Sequence, residues 1–397
     1  MAETDQDRRV LSGEIWDQLV DRISGLRDLV WGDGVPDDPV VRAEGARHLL
    51  RFLAAGIRVC VELDDTENPE LGANIENRMS WGLDNPDCNY SYCRLRPGAT
   101  YRITGTRGSA CQLEFQLTSG HHSDGAPGDW KTISELEGTE LVVADDGTFE
   151  LILSPEPHDG NWMLLDQRAS FLLVREFFAD WEHEEPAVLL IERVGGGSPP
   201  APLATGRIAS HFDLLMTWLD TGSRFWADFA GGVLANEPGD IHPFLPPAEA
   251  AGLRGQAYGM GSFRCEADTA VILEFEPPEC VVWEISLCDR FLQSIDFDHR
   301  QSSLNSVQSA LVDGRFVAVI CHDDPGVANW LDPGGHRQGV IAVRFVMADS
   351  VPTIRYRSVP RSELDRELLP GTTRVGADER RESLRRRRLA VQRRYRR

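Results

Sequence analysis

Residue types that suit catalysis or ligand binding are concentrated in one stretch near the end of the chain, residues 322–337. A buried-strand pattern leads into it, with Phe316, Ala318 and Ile320 on one face. The stretch itself contains His322, Asp323, Asp324, Asn329, Trp330, Asp332, His336 and Arg337. A general base, carboxylates, amide donors and an aromatic ring at a strand exit suit proton transfer on a flat, partly apolar molecule. We therefore expect a functional site here.

His322 is the predicted general base. The strand alternation directs it inward, where an imidazole can accept a proton, donate a hydrogen bond or bind a metal. Asp324 or Asp332 would orient the ring. Negative charge that develops on a substrate oxygen would be stabilised by Asn329, His336 and Arg337. The alternative is a buried histidine whose ring is satisfied by a neighbouring carbonyl.

A metal site is a second hypothesis for the same stretch. His322, Asp324 and His336 have the composition of a two-histidine, one-carboxylate iron site. The spacing counts against it, because the distal histidine of such sites usually comes from a remote strand. Asp324 also precedes Pro325-Gly326 and suits a turn. The sequence lacks the glycine-rich nucleotide-binding motifs, so we expect no organic cofactor.

A second polar and aromatic cluster lies at residues 84–92. Its amides and phenols, together with two tryptophans, would line the substrate pocket: Asn85, Asn89, Tyr90, Tyr92, Trp283 and Trp330. The alternative is a loop shaped by its Asp, Asn and Pro residues. Another polar group, His121-His122-Ser123-Asp124, lies between glycines and predicts a flexible loop.

The spacing of apolar residues predicts a mainly β protein with helical additions. Helical periodicity marks residues 11–30 and 38–57, and alternation marks strands such as 111–117 and 281–287. Most connections are too short for helical crossovers, so the sheets should be antiparallel, as in a sandwich or jelly roll. The expected order is an N-terminal helical region (1–79), a first β unit (80–195), a linker and helical segment (196–250), a second β unit (251–360) and a basic tail helix (361–397).

The charge distribution limits the partners. The chain of 397 residues has a net charge of −22, although ten arginines in residues 378–397 give that tail +7 and leave −29 on the rest. An acidic body repels nucleic acid and anionic membranes. We therefore predict that the basic helix docks on the acidic body of its own chain, or of another copy in a homo-oligomer. No apolar run suits a signal peptide or a membrane span, so a cytoplasmic location without membrane insertion is expected.

Residues 281–345 resemble the bacterial domain-of-unknown-function family 1214, and residues 85–92 and 177–182 resemble the upstream region of its full-length members, so the resemblance covers most of the chain. The matching positions are Trp283, Asp289-Arg290, Ser303-Leu304-Asn305-Ser306, Gln308, Asp313-Gly314, His322, Asp324-Pro325-Gly326, Asn329-Trp330-Leu331-Asp332, Gly335-His336, Gly339 and Arg344. Phe345 departs from the tryptophan that members often have. The resemblance implies a jelly-roll-like β architecture, a bacterial setting and a place near the catabolism of lipids, steroids or other apolar molecules.

Three functions follow from these patterns. The first is a cofactor-independent lyase or hydrolase that acts on a lipid-, steroid- or terpenoid-like molecule by acid–base chemistry at His322. The second is an accessory protein that binds a carbohydrate or lipid without chemistry. The third is a metal-dependent enzyme that uses His322, Asp324 and His336. The first two hypotheses differ in whether two titratable groups lie within hydrogen-bond reach in one closed pocket, as an enzyme requires, or an open, aromatic-lined groove is present, as binding alone requires.

Overall fold

The computed structural model describes residues 4–125, 130–196, 200, 202–246 and 252–395. Its N-terminal part is helical. The longest helix there begins where Asp38 accepts hydrogen bonds from the amides of Val40 and Val41 at 2.8 and 3.1 Å, with Pro39 at the first helical position. The helices are α1 (Asp5–Ser12), α2 (Glu14–Gly25), α3 (Asp28–Trp31) and α4 (Pro39–Ile57), and α4 continues as a π-helical turn, Arg58–Glu62.

The first β unit contains two sheets. Their strands are β1 (Gly72–Ile75), β2 (Cys88–Arg94), β3 (Tyr101–Thr106), β4 (Gln112–Thr118), β5 (Thr132–Glu137), β6 (Thr148–Ser154), β7 (Asn161–Leu164), β8 (Phe171–Phe177) and β9 (Val188–Arg193). One sheet has the order β1-β2-β8-β4-β5 and the other β7-β6-β3-β9. Strand β1 lies within the range predicted to be helical, and pairing with β2 explains it, since Gly72 is opposite Tyr92.

A second helical segment connects the two β units. It comprises α5 (Thr205–Thr217), a π-helical turn (Trp218–Gly222) and α6 (Ser223–Ala235). Trp218 stacks on Phe52 of α4, with ring centroids 4.9 Å apart. A Cβ atom at Gly56 would lie 2.5 Å from the Trp218 ring, so this close packing of helices requires glycine.

The second β unit repeats the two-sheet arrangement. Its strands are β10 (Gln256–Arg264), β11 (Thr269–Phe275), β12 (Val282–Cys288), β13 (Ser303–Asn305), β14 (Leu311–Val312), β15 (Arg315–Ile320), β16 (Trp330–Leu331), β17 (Gln338–Val346) and β18 (Arg355–Pro360). One sheet has the order β10-β17-β12-β13, and the other has β14-β15-β11-β18 with β16 beside β15.

The two sheets of each unit share one apolar core. In the second unit, Ile285 and Phe345 from one sheet cluster with Leu273 and Phe316 from the other. The pairs β6–β7 and β15–β16 are parallel, and the other strand pairs of the described residues are antiparallel. The predicted α+β class with antiparallel sandwich sheets is therefore confirmed. Short connections and strand alternation in the sequence were enough to predict this fold class.

The basic C-terminal helix packs on its own chain. After a short 3-10 turn (Arg361–Glu363) and α7 (Leu364–Glu367), the chain ends its described part in α8 (Ala377–Arg394). Arg380 donates to Asp324 Oδ2 at 3.0 Å and to Gln301 Oε1 at 2.6 Å, and Arg394 donates to Pro86 O at 2.6 Å. The predicted docking on the acidic body is thus seen within one chain, while a homo-oligomer stays a prediction.

Two further features concern the chain as a whole. Among the described residues, no helix combines the length and the apolar character needed to cross a membrane. All eight cysteines are free thiols, and six of them are buried. The cysteines therefore contribute to the core without crosslinking it.

Candidate functional site

The polar side chains of residues 322–337 mainly form hydrogen bonds that stabilise the local structure. His322 Nε2 lies 2.9 Å from the carbonyl oxygen of Cys265, which is the structural alternative considered for this histidine. Trp330 donates its indole N–H to Cys321 O at 2.8 Å. Asn329 donates to Ala310 O and Val317 O at 2.7 and 2.9 Å. These side chains therefore saturate backbone groups, and little of their hydrogen-bonding capacity is left for a ligand.

The charged residues of the stretch also have local partners. Asp332 accepts from Gly334 N and from Arg300 Nη1, both at 2.8 Å. Asp324 is an exposed turn residue that accepts from Gly326 N at 2.9 Å. Arg337 is exposed, and its nearest carboxylate is Glu266 at 3.9 Å. His336 is buried at 5% exposure, near Asp289, whose pKa is raised by burial.

The predicted metal triad is not assembled. Within the described ranges, no group of three or more His, Cys, Asp or Glu residues is placed to hold a metal ion. His322 is committed to Cys265 O and Asp324 to Arg380 of the tail helix. The sequence thus contains the residue types of a metal site, but the folded turn does not bring His322, Asp324 and His336 together as one.

A cavity of about 440 Å³ lies elsewhere, between the two β units and the second helical segment. Strands β2, β4 and β8 form one side, β10 and β17 the other, and α6 covers an end. The cavity contains three of the residues predicted to bind substrate, Asn85, Tyr90 and Tyr92. Among the residues described, its walls include neither Asn89, nor Trp283, nor any part of 322–337. The two predicted clusters therefore do not meet in one cavity. Trp283 instead packs on Phe275 and Phe316 in the sandwich core.

One end of the cavity is aromatic and surrounds a pair of histidines. His121 is nearly parallel to Tyr92 and Trp130, with interplanar angles of 19° and 12°. His122 meets Trp130 edge-on, with ring centroids 4.3 Å apart, and Trp226 at 5.5 Å. Burial lowers the pKa of His122 to about 3, and that of His121 also falls well below its usual range. Both rings are therefore neutral at pH 7, and the predicted flexible loop is a packed wall.

The other end of the cavity is polar and combines two cross-strand pairs. Tyr90 on β2 is directly opposite Arg175 on β8, and Tyr258 on β10 is directly opposite Arg344 on β17. Burial raises the pKa of Tyr90 and of Tyr258, which keeps both phenols neutral. Directly opposite residues of an antiparallel pair share one face of the sheet. Each β unit thus contributes one phenol and one guanidinium to this end.

The backbone beside Arg344 is held in an unusual conformation. Leu83, which lines the cavity, has φ of 60°, a left-handed value that a branched side chain rarely adopts. Its amide donates to Leu292 O at 2.8 Å, and its carbonyl accepts a hydrogen bond from Arg344 Nη2. Strained residues of this kind are concentrated at binding and catalytic sites.

Several polar atoms of the lining residues have no hydrogen-bond partner in the part of the chain that the structure describes. They belong to six residues of the wall: Asn74 Oδ1, Tyr92 OH, His121 Nδ1, His122 Nδ1, Trp226 Nε1 and Gln256 Oε1. Buried polar groups in folded proteins are nearly always paired, so each unpaired one needs an explanation. A molecule bound in the cavity would supply partners for these six groups.

Sequence reasoning missed most of this site. Arg175, Gln116, Trp226, Tyr258 and Arg344 each stand singly on a strand or helix, far from one another in the chain. The available signal was a charged residue inside an otherwise apolar strand sequence, as at Arg344 in β17. Such residues require a buried partner or a ligand.

Fold and site together define a two-unit α+β sandwich protein with an aromatic cavity between its units. The crystal structure of an uncharacterized protein from Burkholderia cenocepacia is similar to it, with a TM-score of 0.85 and 29% identity over 89% of this chain and 99% of that one. A protein from Vibrio parahaemolyticus is more distant, with a TM-score of 0.44 and 12% identity over 77% of this chain and 96% of that one. No family model and no curated protein matches this chain. The resemblance to family 1214 therefore stays a prediction, while the first similarity extends over nearly the whole fold.

Proposed function

We propose that this protein binds a small, largely apolar molecule in the cavity between its two β units. The observation that carries the proposal is the composition of the walls. Eleven lining residues are Phe, Tyr or Trp, and the charged side chains of the described lining are two arginines. Ligand sites typically combine an apolar lining with a few oriented polar groups in a volume of about 300–1,000 Å³. The lipid-, steroid- or terpenoid-like ligand expected from the sequence is consistent with this cavity, whereas a carbohydrate is not, because its many hydroxyls need more partners.

Binding is favoured over catalysis by the state of the titratable groups. In the described residues, no two acidic or basic side chains of the lining are hydrogen-bonded to each other. The nearest to such a contact is Arg175 Nη1, which donates to the Gln116 amide oxygen at 3.0 Å. A base that abstracts protons normally needs a second group to orient it. A cytoplasmic location and a cofactor-independent mode of action remain part of the proposal.

An acid–base enzyme is the second candidate, with its site moved from residues 322–337 to the cavity. Its supporting observation is the neutral phenol of Tyr90 opposite Arg175, because a phenol beside a guanidinium can donate a proton to a bound carbonyl. A lyase or hydrolase reaction would then require Tyr90. Product formation lost in Tyr90→Phe, with ligand affinity retained, would distinguish this candidate from a binding protein.

Binding can be tested with the neutral dye Nile red, whose fluorescence rises in apolar surroundings. We expect saturable binding to the wild-type protein and at least tenfold weaker binding to Trp226→Ala, since Trp226 forms part of the aromatic wall. Trp16→Ala is the matched control, because Trp16 is 61% exposed and lies outside the cavity. Equal binding by all three proteins would place the dye elsewhere and contradict the proposal.

A further inference from the structure

The cavity wall has an uncompensated positive charge. Its described lining includes two guanidiniums, Arg175 and Arg344, and no carboxylate. Arg344 forms an ion pair with Glu284 behind the wall, and both side chains are buried. Arg175, by contrast, has no carboxylate oxygen within 4.0 Å in the described ranges. One guanidinium on a largely apolar surface thus has no carboxylate in ion-pair contact among the described residues.

Arg344 and Arg175 occupy equivalent positions in their sheets, so the difference in their ion pairing can be compared directly. Arg344 lies between Tyr258 and Glu284 on the strands either side of it, and Arg175 lies between Tyr90 and Glu114 in the same way. Glu114, however, accepts a hydrogen bond from the side chain of its neighbour Gln112 and does not contact Arg175.

Burial raises the pKa of Glu114 and of Glu284 alike to about 8, so the two arginine sites differ in where the glutamate side chain lies and not in its pKa. Glu135 also faces Arg175, but its Oε1 accepts from Gln116 Nε2 at 2.7 Å and its Oε2 from Arg254 N at 3.3 Å. Arg175 is half-buried and forms no ion pair among the described residues, so an anionic group of the ligand would complete this site.

Hydrogen-bond donors are available around Arg175. The Tyr258 hydroxyl accepts a hydrogen bond from Leu253 N at 3.1 Å. Among the described residues, the hydroxyl donates no hydrogen bond of its own. Arg175 uses Nη1 on Gln116, which leaves its other N–H groups to donate. A guanidinium and a phenol together match the two oxygens of a carboxylate.

We propose that the ligand is an aromatic carboxylate, with its carboxylate on Arg175 and Tyr258 and its ring system against Trp130, Trp226 and the His121–His122 pair. This inference rests on the proposed function, because it names the ligand class of the same cavity. The aromatic end favours rings over alkyl chains, since paired aromatic rings stabilise each other beyond the effect of their buried area.

The test compares 2-naphthoate with 2-naphthamide, which differ in charge but hardly in shape, by isothermal titration calorimetry. We expect the wild-type protein to bind the acid about 10- to 100-fold more tightly than the amide, as a hydrogen-bonded charge pair predicts. Arg175→Gln should abolish that preference, and Arg175→Lys should restore part of it. The control is Arg168→Gln, which removes an equal charge from an exposed pair with Asp166 outside the cavity.

Each outcome separates this inference from the proposed function. Equal affinities for the acid and amide, or a preference that survives in Arg175→Gln, would overturn the carboxylate assignment while Nile red binding still supported the cavity. Tighter binding of undecanoate than of 2-naphthoate would overturn the aromatic part. Failure of every probe to bind the wild-type protein would overturn both proposals. Nile red binding by Arg175→Gln shows that the variant is folded, and the wild-type comparison of acid and amide needs no variant.

Discussion

Arg344 and Glu284 lie directly opposite each other on β17 and β12 and form a buried ion pair, with side-chain exposures of 6% and 3%. This pair anchors the cavity, because Arg344 also donates to the carbonyl of the strained Leu83. Removal of one partner of a buried pair leaves an uncompensated charge, which is far more costly than loss of an exposed pair.

Glu284→Gln should therefore lower the free energy of unfolding by about 3–5 kcal/mol. Equilibrium unfolding in urea measures it. The matched control is Glu150→Gln, which breaks an exposed pair with Arg102 and should cost less than about 1 kcal/mol. Similar losses in the two variants would contradict the role given to the buried pair.

Asp87 should make stability depend on pH. Burial raises its pKa from 3.8 to about 6, against the opposing charge of Arg394. Between these values the folded state binds more protons than the unfolded state, so the free energy of unfolding falls as pH rises through this window. Asp87→Asn should remove this contribution, about 2–3 kcal/mol in size.

Urea unfolding of wild type and Asp87→Asn at intervals between pH 4 and pH 7 tests this. The variant should gain stability relative to wild type as pH rises, while the exposed control Asp37→Asn should follow wild type throughout. A constant difference between Asp87→Asn and wild type would show that the carboxyl does not titrate in this range.

His322→Ala distinguishes the structural role of this histidine from the predicted catalytic one. We expect a loss of about 1 kcal/mol in stability, from the hydrogen bond to Cys265 O, and unchanged binding of Nile red. His122→Leu should instead alter dye affinity, because His122 lines the cavity. Loss of ligand binding in a folded His322→Ala protein would reinstate the predicted site.

The tail helix gives a matched pair of neighbouring arginines. Arg380 is 5% exposed and bonds to Asp324, Gln301 and Val327 O, with its guanidinium 5.4 Å from the Trp330 ring centroid. Arg380→Ala should lower the free energy of unfolding by about 2–4 kcal/mol, since buried acceptors lose their donor. Arg381→Ala, whose side chain is 74% exposed, should change it by less than about 0.5 kcal/mol. Comparable effects would mean that the helix is not docked as described.

The fold class and part of the cavity lining could be predicted from the amino-acid sequence. Period-two patterns such as 111–117 directly reflect a sheet with a buried face, and they predicted antiparallel sandwiches correctly. The polar and aromatic character of residues 84–92 also pointed to Asn85, Tyr90 and Tyr92, which line the cavity. Strand alternation and residue type depend only on residues close together in the chain, so both can be recognised from the sequence.

Which polar residues are available to a ligand depends on how the chain packs and could not be predicted from the sequence. The stretch 322–337 has site-like residue types, yet backbone carbonyls and neighbouring side chains occupy His322, Asn329 and Trp330. Arg175 and Tyr258 are distant in sequence and become neighbours when the two β units pack together around one cavity. Whether a charge has a partner depends on that packing, because Arg344 and Arg175 have equivalent strand neighbours and differ in whether the glutamate turns toward them.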